Sequence, residues 1–322
     1  MRFAVVGTNF ISDRFCEAAR LVEGAEVAAV CSRKYDTGSA FSQKHGIERV
    51  YSDYLRLLND ESIDAIYVAT PTYTHYDYAA RALLAKKAVL CEKMMCPTYG
   101  ETVELIKLSR VTGKLLVEAM RPDFDPAYDA VRHALSRIGR IFSADFSFFQ
   151  YSSRYDKFKS GEYTRAFDPK IKNSALSDIG IYPLHMALSL FGEPGRVSSE
   201  SQILKGGFEG AGEISLIYPD FTAKVRYSKI EDPTGPSVIV GEGGRVFIDK
   251  ISSPKRVWIE AYDGKTTEIP VPTPENNMIY EIAAFMKMAK GELSPAPYLD
   301  LTELTAKVIS EVYVTSGISD YF

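Results

Sequence analysis

The sequence has few metal-binding side chains and no long apolar run. Only four of its 322 residues are histidines and four are cysteines. The cysteines Cys16, Cys31, Cys91 and Cys96 lack zinc-finger spacing, so we predict no metal and interpret them as reduced thiols of a cytoplasmic protein. The net charge of −4, without a basic cluster, argues against a nucleic-acid partner. No apolar stretch reaches 18 residues and the N-terminal one is too short for a signal peptide, so we expect no membrane partner.

The first 120 residues alternate between apolar strands and helical patterns. The predicted strands are FAVVG, EVAAVCS, IDAIYVAT, AVLCEK and KLLVEAM. Strands that are apolar throughout and separated by helices are typical of a parallel sheet buried on both faces. We therefore predict an α/β fold, whose N-terminal domain (residues 1–120) is a doubly wound, Rossmann-like parallel sheet that binds NAD(P).

The pattern changes near Met120 and Arg121. Later strands, such as ISLIY and KVRYS, are separated by Pro-Asp, Gly-Gly and Asp-Gly turns, which indicate antiparallel pairing. We predict that residues 121–322 form an α+β domain for substrate binding and oligomerisation, with a large, mainly antiparallel, open-faced sheet. The open face should pack against a second copy, giving a homodimer or a dimer of dimers.

The turn after the first strand, VVGTNFIS, partly matches a dinucleotide fingerprint. Gly7 matches the first glycine, whereas Asn9 and Ser12 replace the other two small residues. The following helix N-terminus would meet a pyrophosphate with its N–H groups, although a plain tight turn explains the pattern equally well. The candidate cofactor-binding residues here are Gly7, Thr8, Asn9, Phe10 and Ile11.

No acidic residue follows directly after the second strand, where an NAD-selective site binds the ribose 2′-hydroxyl. Ser32 and Arg33 stand there instead. A hydroxyl and a guanidinium suit a 2′-phosphate, so we expect NADP(H) to be preferred, with NAD(H) possible. The alternative is a solvated surface turn.

The apolar strand AVLC ends in Glu92 and Lys93. Ligands of doubly wound sheets bind beyond the carboxyl ends of the strands. Because Gly7, Ser32 and Lys93 all follow such ends, we expect Lys93 to face a ligand rather than bulk water.

Three motifs, ATPTYTH, LCEK and SDIGIYPLH, together resemble the Gfo/Idh/MocA family, named for glucose-fructose oxidoreductase and inositol dehydrogenase. The resemblance covers essentially the whole chain and is closest to the branch with dihydrodiol dehydrogenase and NADP-linked sugar reductases. It implies NAD(P)-dependent hydride transfer to or from a sugar, polyol or related hydroxy or carbonyl compound.

The resemblance also implies roles for particular residues. Lys93 matches the family's catalytic lysine, Asp178 its acid and Tyr182 its His/Tyr position. Met94 replaces the proline that usually follows the lysine, so we expect no cis peptide bond there. The further candidate cofactor-binding residues are Thr70, Pro71, Thr72, His75, Glu92, Lys93 and Arg121.

Hydride transfer to a carbonyl leaves negative charge on oxygen, which must be stabilised and protonated. We expect Lys93, Asp178 and Tyr182 to converge on the nicotinamide, with Tyr182 as proton donor. Asp178 lies four residues earlier on the same helical face and would hold the lysine or a substrate hydroxyl. His185 is the rival acid, although a core histidine explains it as well.

The loop between residues 151 and 174 is basic and aromatic. Arg154, Tyr155 and Arg165 are candidates for substrate contact, with His185 as a fourth, although a solvated loop is an equally good explanation. Two other functions remain open: a non-catalytic dinucleotide or sugar sensor, and a lyase that uses transient oxidation.

Overall fold

The computed structural model describes residues 1–232 and 235–318. The chain forms two compact units. The first contains Met1–Cys96, Gly100–Phe124 and Pro274–Thr302, and the second contains Pro97–Tyr99, Asp125–Thr273 and the segment from Glu303. A segment near the C-terminus therefore belongs to the same unit as the N-terminal strands.

The strands of the first unit are β1 (Arg2–Val6), β2 (Glu26–Cys31), β3 (Arg49–Tyr51), β4 (Ala65–Val68), β5 (Ala88–Glu92) and β6 (Leu116–Ala119). Those of the second are β7 (Ile141–Phe149), β8 (Arg196–Ile203), β9 (Glu209–Ile217), β10 (Thr222–Ser228), β11 (Ser237–Gly241), β12 (Gly244–Ile248), β13 (Val257–Ala261) and β14 (Thr266–Ile269). The α-helices are α1 (Phe10–Ala19), α2 (Tyr35–His45), α3 (Tyr54–Leu58), α4 (His75–Leu84), α5 (Tyr99–Thr112), α6 (Pro126–Leu135), α7 (Tyr155–Lys159), α8 (Ile181–Phe191), α9 (Met278–Ala289) and α10 (Ala296–Thr315).

The first unit contains a parallel sheet with the strand order β3-β2-β1-β4-β5-β6. Successive side chains of a strand point to opposite faces, and both faces are buried here. On β4, Ile66 belongs to one apolar cluster and Tyr67 to the other. Residues Ile282 and Phe285 of α9 complete the second cluster. The predicted doubly wound Rossmann sheet is confirmed.

The second unit contains an eight-stranded sheet with the order β14-β13-β12-β11-β7-β10-β9-β8. Its pairs are antiparallel except for β7 and β10, which run parallel. Along β10, Val225 and Tyr227 are buried beneath α8, whereas Lys224 is exposed. The predicted mainly antiparallel sheet is thus confirmed.

A widened helical turn, Leu176–Gly180, leads directly into α8. Gly180 allows this turn to lie against the sheet, because a Cβ atom there would come within 2.6 Å of the Tyr227 ring. Asp178 is carried by this turn.

Among residues 1–232 and 235–318, no helix is both long and apolar enough to cross a bilayer.

Candidate active site

The turn between β1 and α1 depends on Gly7. Its φ of +112° lies in the region that favours glycine. A Cβ atom would meet the carbonyl oxygen of Ala69 at 2.4 Å, so only glycine fits this close approach. The turn is therefore packed against the loop that begins after β4.

Asn9, which replaces a fingerprint glycine, caps helix α1. Its Oδ1 accepts hydrogen bonds from the N–H groups of Ile11 and Ser12, both at 3.1 Å, and its Nδ2 donates to the Ala69 carbonyl at 2.8 Å. Side-chain caps of this kind satisfy N–H groups that the helix leaves unpaired. Two N–H groups that were expected to meet a pyrophosphate are thus already bonded, and a phosphate at this turn would use others. Phe10 is largely exposed.

The end of β2 carries positive charge. Ser32 follows Cys31 and its N–H donates to the Tyr51 carbonyl at 3.0 Å, while Arg33 is exposed. Arg33 lies close enough to α4 to act on Tyr78, whose pKa is raised by burial and partly lowered again by this guanidinium. A hydroxyl and a guanidinium at this strand end, with a glycine turn on the neighbouring strand, fit a dinucleotide phosphate.

His75, at the start of α4, connects two loops. Its Nδ1 lies 3.0 Å from the Met94 carbonyl oxygen and its Nε2 lies 2.8 Å from that of Thr70. Burial lowers the pKa of His75, which favours a neutral ring. His75 therefore joins the loop after β4, which also carries Pro71 and Thr72, to the segment after β5.

The expectation for the Lys93–Met94 peptide bond was wrong, because this bond is cis. The backbone around it is held by buried groups rather than by a proline. The Met94 carbonyl contacts His75, and the Met95 N–H donates to Glu118 Oε1 at 2.7 Å. The residue type at position 94 does not by itself reveal these contacts.

Glu92, next to Lys93, is buried and hydrogen-bonded. It accepts from the Tyr67 hydroxyl at 2.5 Å and from the Lys93 N–H at 3.3 Å. Burial raises the pKa of Glu92, while these donors and the charges of Lys93 and Arg121 lower it. Glu92 therefore anchors the backbone of Lys93 from beneath the sheet edge.

Arg121 connects this region to the C-terminal part of the first unit. Its Nη1 donates to Asn277 Oδ1 at 3.3 Å, just before α9. Its charge also acts on Glu281, a fully buried carboxyl group of α9. Asn277 and Glu281 have no local motif that would have identified them, because they join the site only through the packing of α9.

In the second unit, Asp178 forms an ion pair that sequence reasoning missed. Its Oδ2 accepts a hydrogen bond from Lys229 Nζ at 2.7 Å. Lys229 lies just after β10. The expectation that Asp178 holds Lys93 or a substrate hydroxyl stays a prediction. Lys229 stands at the end of an ordinary alternating strand, and no motif in the sequence marks it as a partner of Asp178.

Tyr182 and His185 both lie on α8 and are buried. The Tyr182 ring lies 5.8 Å from that of Phe148 on β7. His185 Nδ1 lies 3.1 Å from Thr305 Oγ1 within the core of the unit. The two side chains therefore have different surroundings despite their three-residue spacing.

The candidate substrate residues of the 151–174 loop are spread along it. Arg154 and Arg165 are exposed, while Tyr155 is half-buried and stacks with Phe158 and Phe167 at 6.2 and 5.6 Å. These aromatic contacts give the loop a small apolar core of its own.

Glu209 supports the turn that carries Asp178. It accepts from the Leu176 N–H at 3.0 Å, the Tyr227 hydroxyl at 2.7 Å and the Ser201 hydroxyl at 2.8 Å. The widened turn is thus bonded directly to the sheet beneath it. Within the described parts of the chain, no group of three or more His, Cys, Asp or Glu side chains is arranged to hold a metal ion.

The sheet order 3-2-1-4-5-6 and the glycine turn define a dinucleotide-binding Rossmann protein. Comparison with family models agrees: one for an oxidoreductase family with an NAD-binding Rossmann fold (GFO_IDH_MocA) matches residues 1–120, and one for the GFO/IDH/MocA C-terminal domain matches residues 128–247.

Similar proteins span the whole chain. It is 36% identical over 320 residues to scyllo-inositol 2-dehydrogenase (NADP(+)) IolU of Bacillus subtilis, covering 99% of this chain and 98% of that one. It is 26% identical over 342 residues to trans-1,2-dihydrobenzene-1,2-diol dehydrogenase of Mus musculus, covering 99% and 98%. The 3-ketoreductase KijD10 of Actinomadura kijaniata, solved with NADP and TDP-benzene, has the same fold, with a TM-score of 0.86, 24% identity and 98% coverage of both chains.

The chain belongs to the Gfo/Idh/MocA oxidoreductase family. The predicted family and the predicted class of enzyme, an NAD(P)-dependent oxidoreductase, are confirmed.

Proposed function

We propose that the protein catalyses NADP(H)-dependent hydride transfer at a secondary alcohol or ketone carbon of a cyclic polyol or sugar. The observation that carries this proposal is the position of Lys93 at the carboxyl end of β5, anchored by Glu92, in a Rossmann sheet. Support for the substrate class comes from the full-length likeness to scyllo-inositol 2-dehydrogenase (NADP(+)).

NADP(H), when bound, supplies or accepts the hydride. The residues that would hold it are Gly7, Thr8, Asn9, Phe10, Ile11, Thr70, Pro71, Thr72, His75, Glu92, Lys93 and Arg121. Ser32 and Arg33 would bind the 2′-phosphate, since a guanidinium matches phosphate geometry and charge.

Three side chains would act on the substrate. The Lys93 ammonium stabilises negative charge that develops on the reacting oxygen. The Tyr182 hydroxyl transfers the proton, and the Asp178 carboxylate accepts a hydrogen bond from a substrate hydroxyl. Their convergence on one substrate remains a prediction.

Residues of the 151–174 loop would contact the rest of the substrate. Tyr155 offers a ring for stacking, and Arg154 and Arg165 offer guanidiniums for polar groups. His185 would support α8 through Thr305 rather than act as the acid.

The test of catalysis is an assay at 340 nm with a panel of inositols, aldoses and polyols, followed by Lys93→Met. We expect turnover with at least one cyclic polyol or sugar, and a loss of about 10²–10³ in kcat in the variant. Lys107→Met, an exposed lysine of α5, is the matched control. Undiminished activity of Lys93→Met would refute the proposal, and NADPH binding without any turnover would favour the sensor.

The test of cofactor preference is a fluorescence titration with NADPH and NADH. Arg33→Ala should remove a preference for NADPH while leaving NADH affinity unchanged, because only NADPH carries the 2′-phosphate. Arg56→Ala, at an exposed residue of α3, controls for loss of surface charge. Equal affinity of the parent protein for both cofactors would contradict the 2′-phosphate site.

We further infer a homodimer, or a dimer of dimers, formed through the sheet of the second unit. Support comes from Phe247 and Trp258, which stack at 5.0 Å on neighbouring strands and are half-buried. Light scattering should give a mass about two or four times that of one 35.8 kDa chain. Trp258→Glu should lower this mass towards that of a single chain. A monomeric parent protein would contradict this inference.

A cytoplasmic location, inferred from the four buried thiols, is testable by fractionation.

A further inference from the structure

Lys229 is a buried lysine directly after β10. It is 5% exposed, and its ammonium donates to Asp178 Oδ2 at 2.7 Å and to the Ala166 carbonyl at 3.2 Å. An ammonium removed from water is costly unless its donors are satisfied. Both contacts therefore stabilise the buried charge, and the carboxylate supplies its counter-charge.

The position of Lys229 is fixed on several sides. Its Nζ lies over the rings of Phe167 and Phe208, 5.2 and 5.4 Å from their centroids. Its backbone N–H donates to the Gly210 carbonyl, and its carbonyl accepts from the Ser152 N–H, both at 2.9 Å. The sheet, rather than a mobile side chain, thus determines where the ammonium lies.

A second ion pair, formed by a lysine of β10 itself, differs from the Lys229 pair in burial. Lys224 Nζ lies 2.7 Å from Glu213 Oε1, and both side chains are well exposed, at 51% and 39%. In the Lys229 pair the lysine side chain is 6% exposed and the Asp178 side chain is 43% exposed. The Lys229 ammonium is therefore interior, whereas the Asp178 carboxylate faces outward. A lysine fixed in the interior thus holds a partly exposed carboxylate.

We propose that Lys229 is a positioning residue that holds the Asp178 carboxylate in one orientation, so that this carboxylate can accept a hydrogen bond from a substrate hydroxyl. The inference rests on the role of Asp178 in the proposed function. Lys229 itself does not touch the substrate; it acts only through Asp178.

Asp178 is held both through its side chain and through the backbone of its turn. Asp178 lies on the widened turn, which is tied to the sheet by the Leu176 N–H and Glu209. Lys229 fixes the side chain, as Glu209 fixes the backbone. A carboxylate held at both levels loses little conformational freedom when a substrate hydroxyl binds, which is the benefit of preorganisation.

The test is a double-mutant cycle of Asp178→Asn and Lys229→Met, measured as kcat and KM with the best substrate of the panel. We expect Asp178→Asn to lower kcat/KM strongly and Lys229→Met to lower it about 10- to 100-fold, as a small misplacement of a reacting group does. The double variant should be no worse than Asp178→Asn alone, because Lys229 acts through Asp178. Lys229→Arg, which keeps the charge, should recover part of the loss.

Lys224→Met is the matched control, since it removes an equally short pair from the same strand and should leave kcat/KM unchanged. NADPH affinity should be unchanged in all variants. If Lys229→Met does not fold, the double variant, which leaves neither charge unpaired, is compared with Asp178→Asn alone, and equal activities are again expected.

The possible failures are distinguishable. Full activity of Asp178→Asn would overturn the role of Asp178 and with it this inference. An inactive Asp178→Asn with a fully active Lys229→Met would overturn the inference alone. Losses that multiply in the double variant would also overturn it, because they would show that Lys229 acts independently of Asp178.

Discussion

Two buried carboxyl groups, one in each unit, have opposite surroundings. Glu209 is 1% exposed and accepts hydrogen bonds from Tyr227, Ser201 and the Leu176 N–H. Glu281 is 0% exposed, and neither of its oxygens has a hydrogen-bond partner among residues 1–232 and 235–318. One carboxyl group is part of a hydrogen-bond network, whereas the other is acted on by nearby charges.

The pKa values follow this difference. Burial raises the pKa of Glu209, but its three donors lower it again. Burial raises the pKa of Glu281 well above its usual range, and the charge of Glu92 raises it further, while Arg121 and Arg14 oppose both effects. Both carboxyl groups thus keep a raised pKa, but direct hydrogen-bond donors oppose the rise at Glu209, whereas only the charges of arginines oppose it at Glu281.

The largest effect is expected from removing the networked carboxylate. Glu209→Leu leaves the Tyr227 hydroxyl and the Leu176 N–H without this acceptor, and each unpaired buried donor costs about 1–3 kcal/mol. The Ser201 hydroxyl keeps Ser316 Oγ, at 2.9 Å, as a partner. The free energy of unfolding should therefore fall by at least about 2 kcal/mol in urea denaturation.

Glu213→Leu, at a half-buried position of the same strand, is the control and should change the stability by less than about 0.5 kcal/mol. A Glu209→Leu variant as stable as this control would show that the three donors find other partners, and the contrast between the two carboxyl groups would disappear.

Glu281→Gln should raise the free energy of unfolding at pH 8, in contrast to Glu209→Leu, which lowers it. The amide is neutral and has nearly the shape of the protonated acid. The folded-state pKa is raised, so the stability that Glu281 contributes is fully present below the unfolded pKa of about 4.5 and is lost as the pH rises towards the folded pKa. As the pH rises, the free energy of unfolding of the parent protein should fall by up to about 1.4 kcal/mol per pH unit because of this group. The variant has no carboxyl group at this position and should not show this loss. Urea denaturation at pH 5 and pH 8 measures the difference.

The variant should thus match the parent protein at pH 5 and exceed its stability at pH 8. Glu275→Gln, an exposed position just before α9, should show no such trend. A Glu281→Gln variant less stable than the parent at pH 8 would mean that the carboxyl group is ionised and stabilised in the fold, in contradiction to the comparison.

Local sequence patterns predicted the inner strands of both sheets but not all of the edges. The strands β3, β8 and β14 have no apolar pattern of their own, and each lies at an edge of its sheet. An edge strand is half-exposed and is defined by its one neighbour, so its sequence need not be apolar. The inner strands, such as β4, are buried on both faces and are visible in the sequence for that reason.

The candidate site shows the same limit. Gly7, Lys93 and Asp178 could be proposed as site residues because backbone conformation and motif spacing mark them. Lys229 and Glu281 could not, since each reaches the site region of its unit through contacts with residues far away in the chain. The cis bond after Lys93 likewise has no mark in the sequence, since no proline follows the lysine.

The smallest expected effect comes from removing a single donor of Glu209. Ser201→Ala removes the hydrogen bond to Glu209 and the contact of the same hydroxyl with Ser316 Oγ at 2.9 Å, and it leaves the bonds of Tyr227 and the Leu176 N–H to Glu209. The free energy of unfolding should therefore fall by about 1 kcal/mol. The lost donor favours the ionised carboxylate, so its removal raises the pKa of Glu209 further and the loss of stability should be larger at pH 8 than at pH 5. Ser198→Ala on the same strand serves as the control in the urea titration. A loss that is equal at both pH values would indicate that Ser201 contributes only packing, and that Glu209 behaves more like Glu281 than its three hydrogen bonds imply.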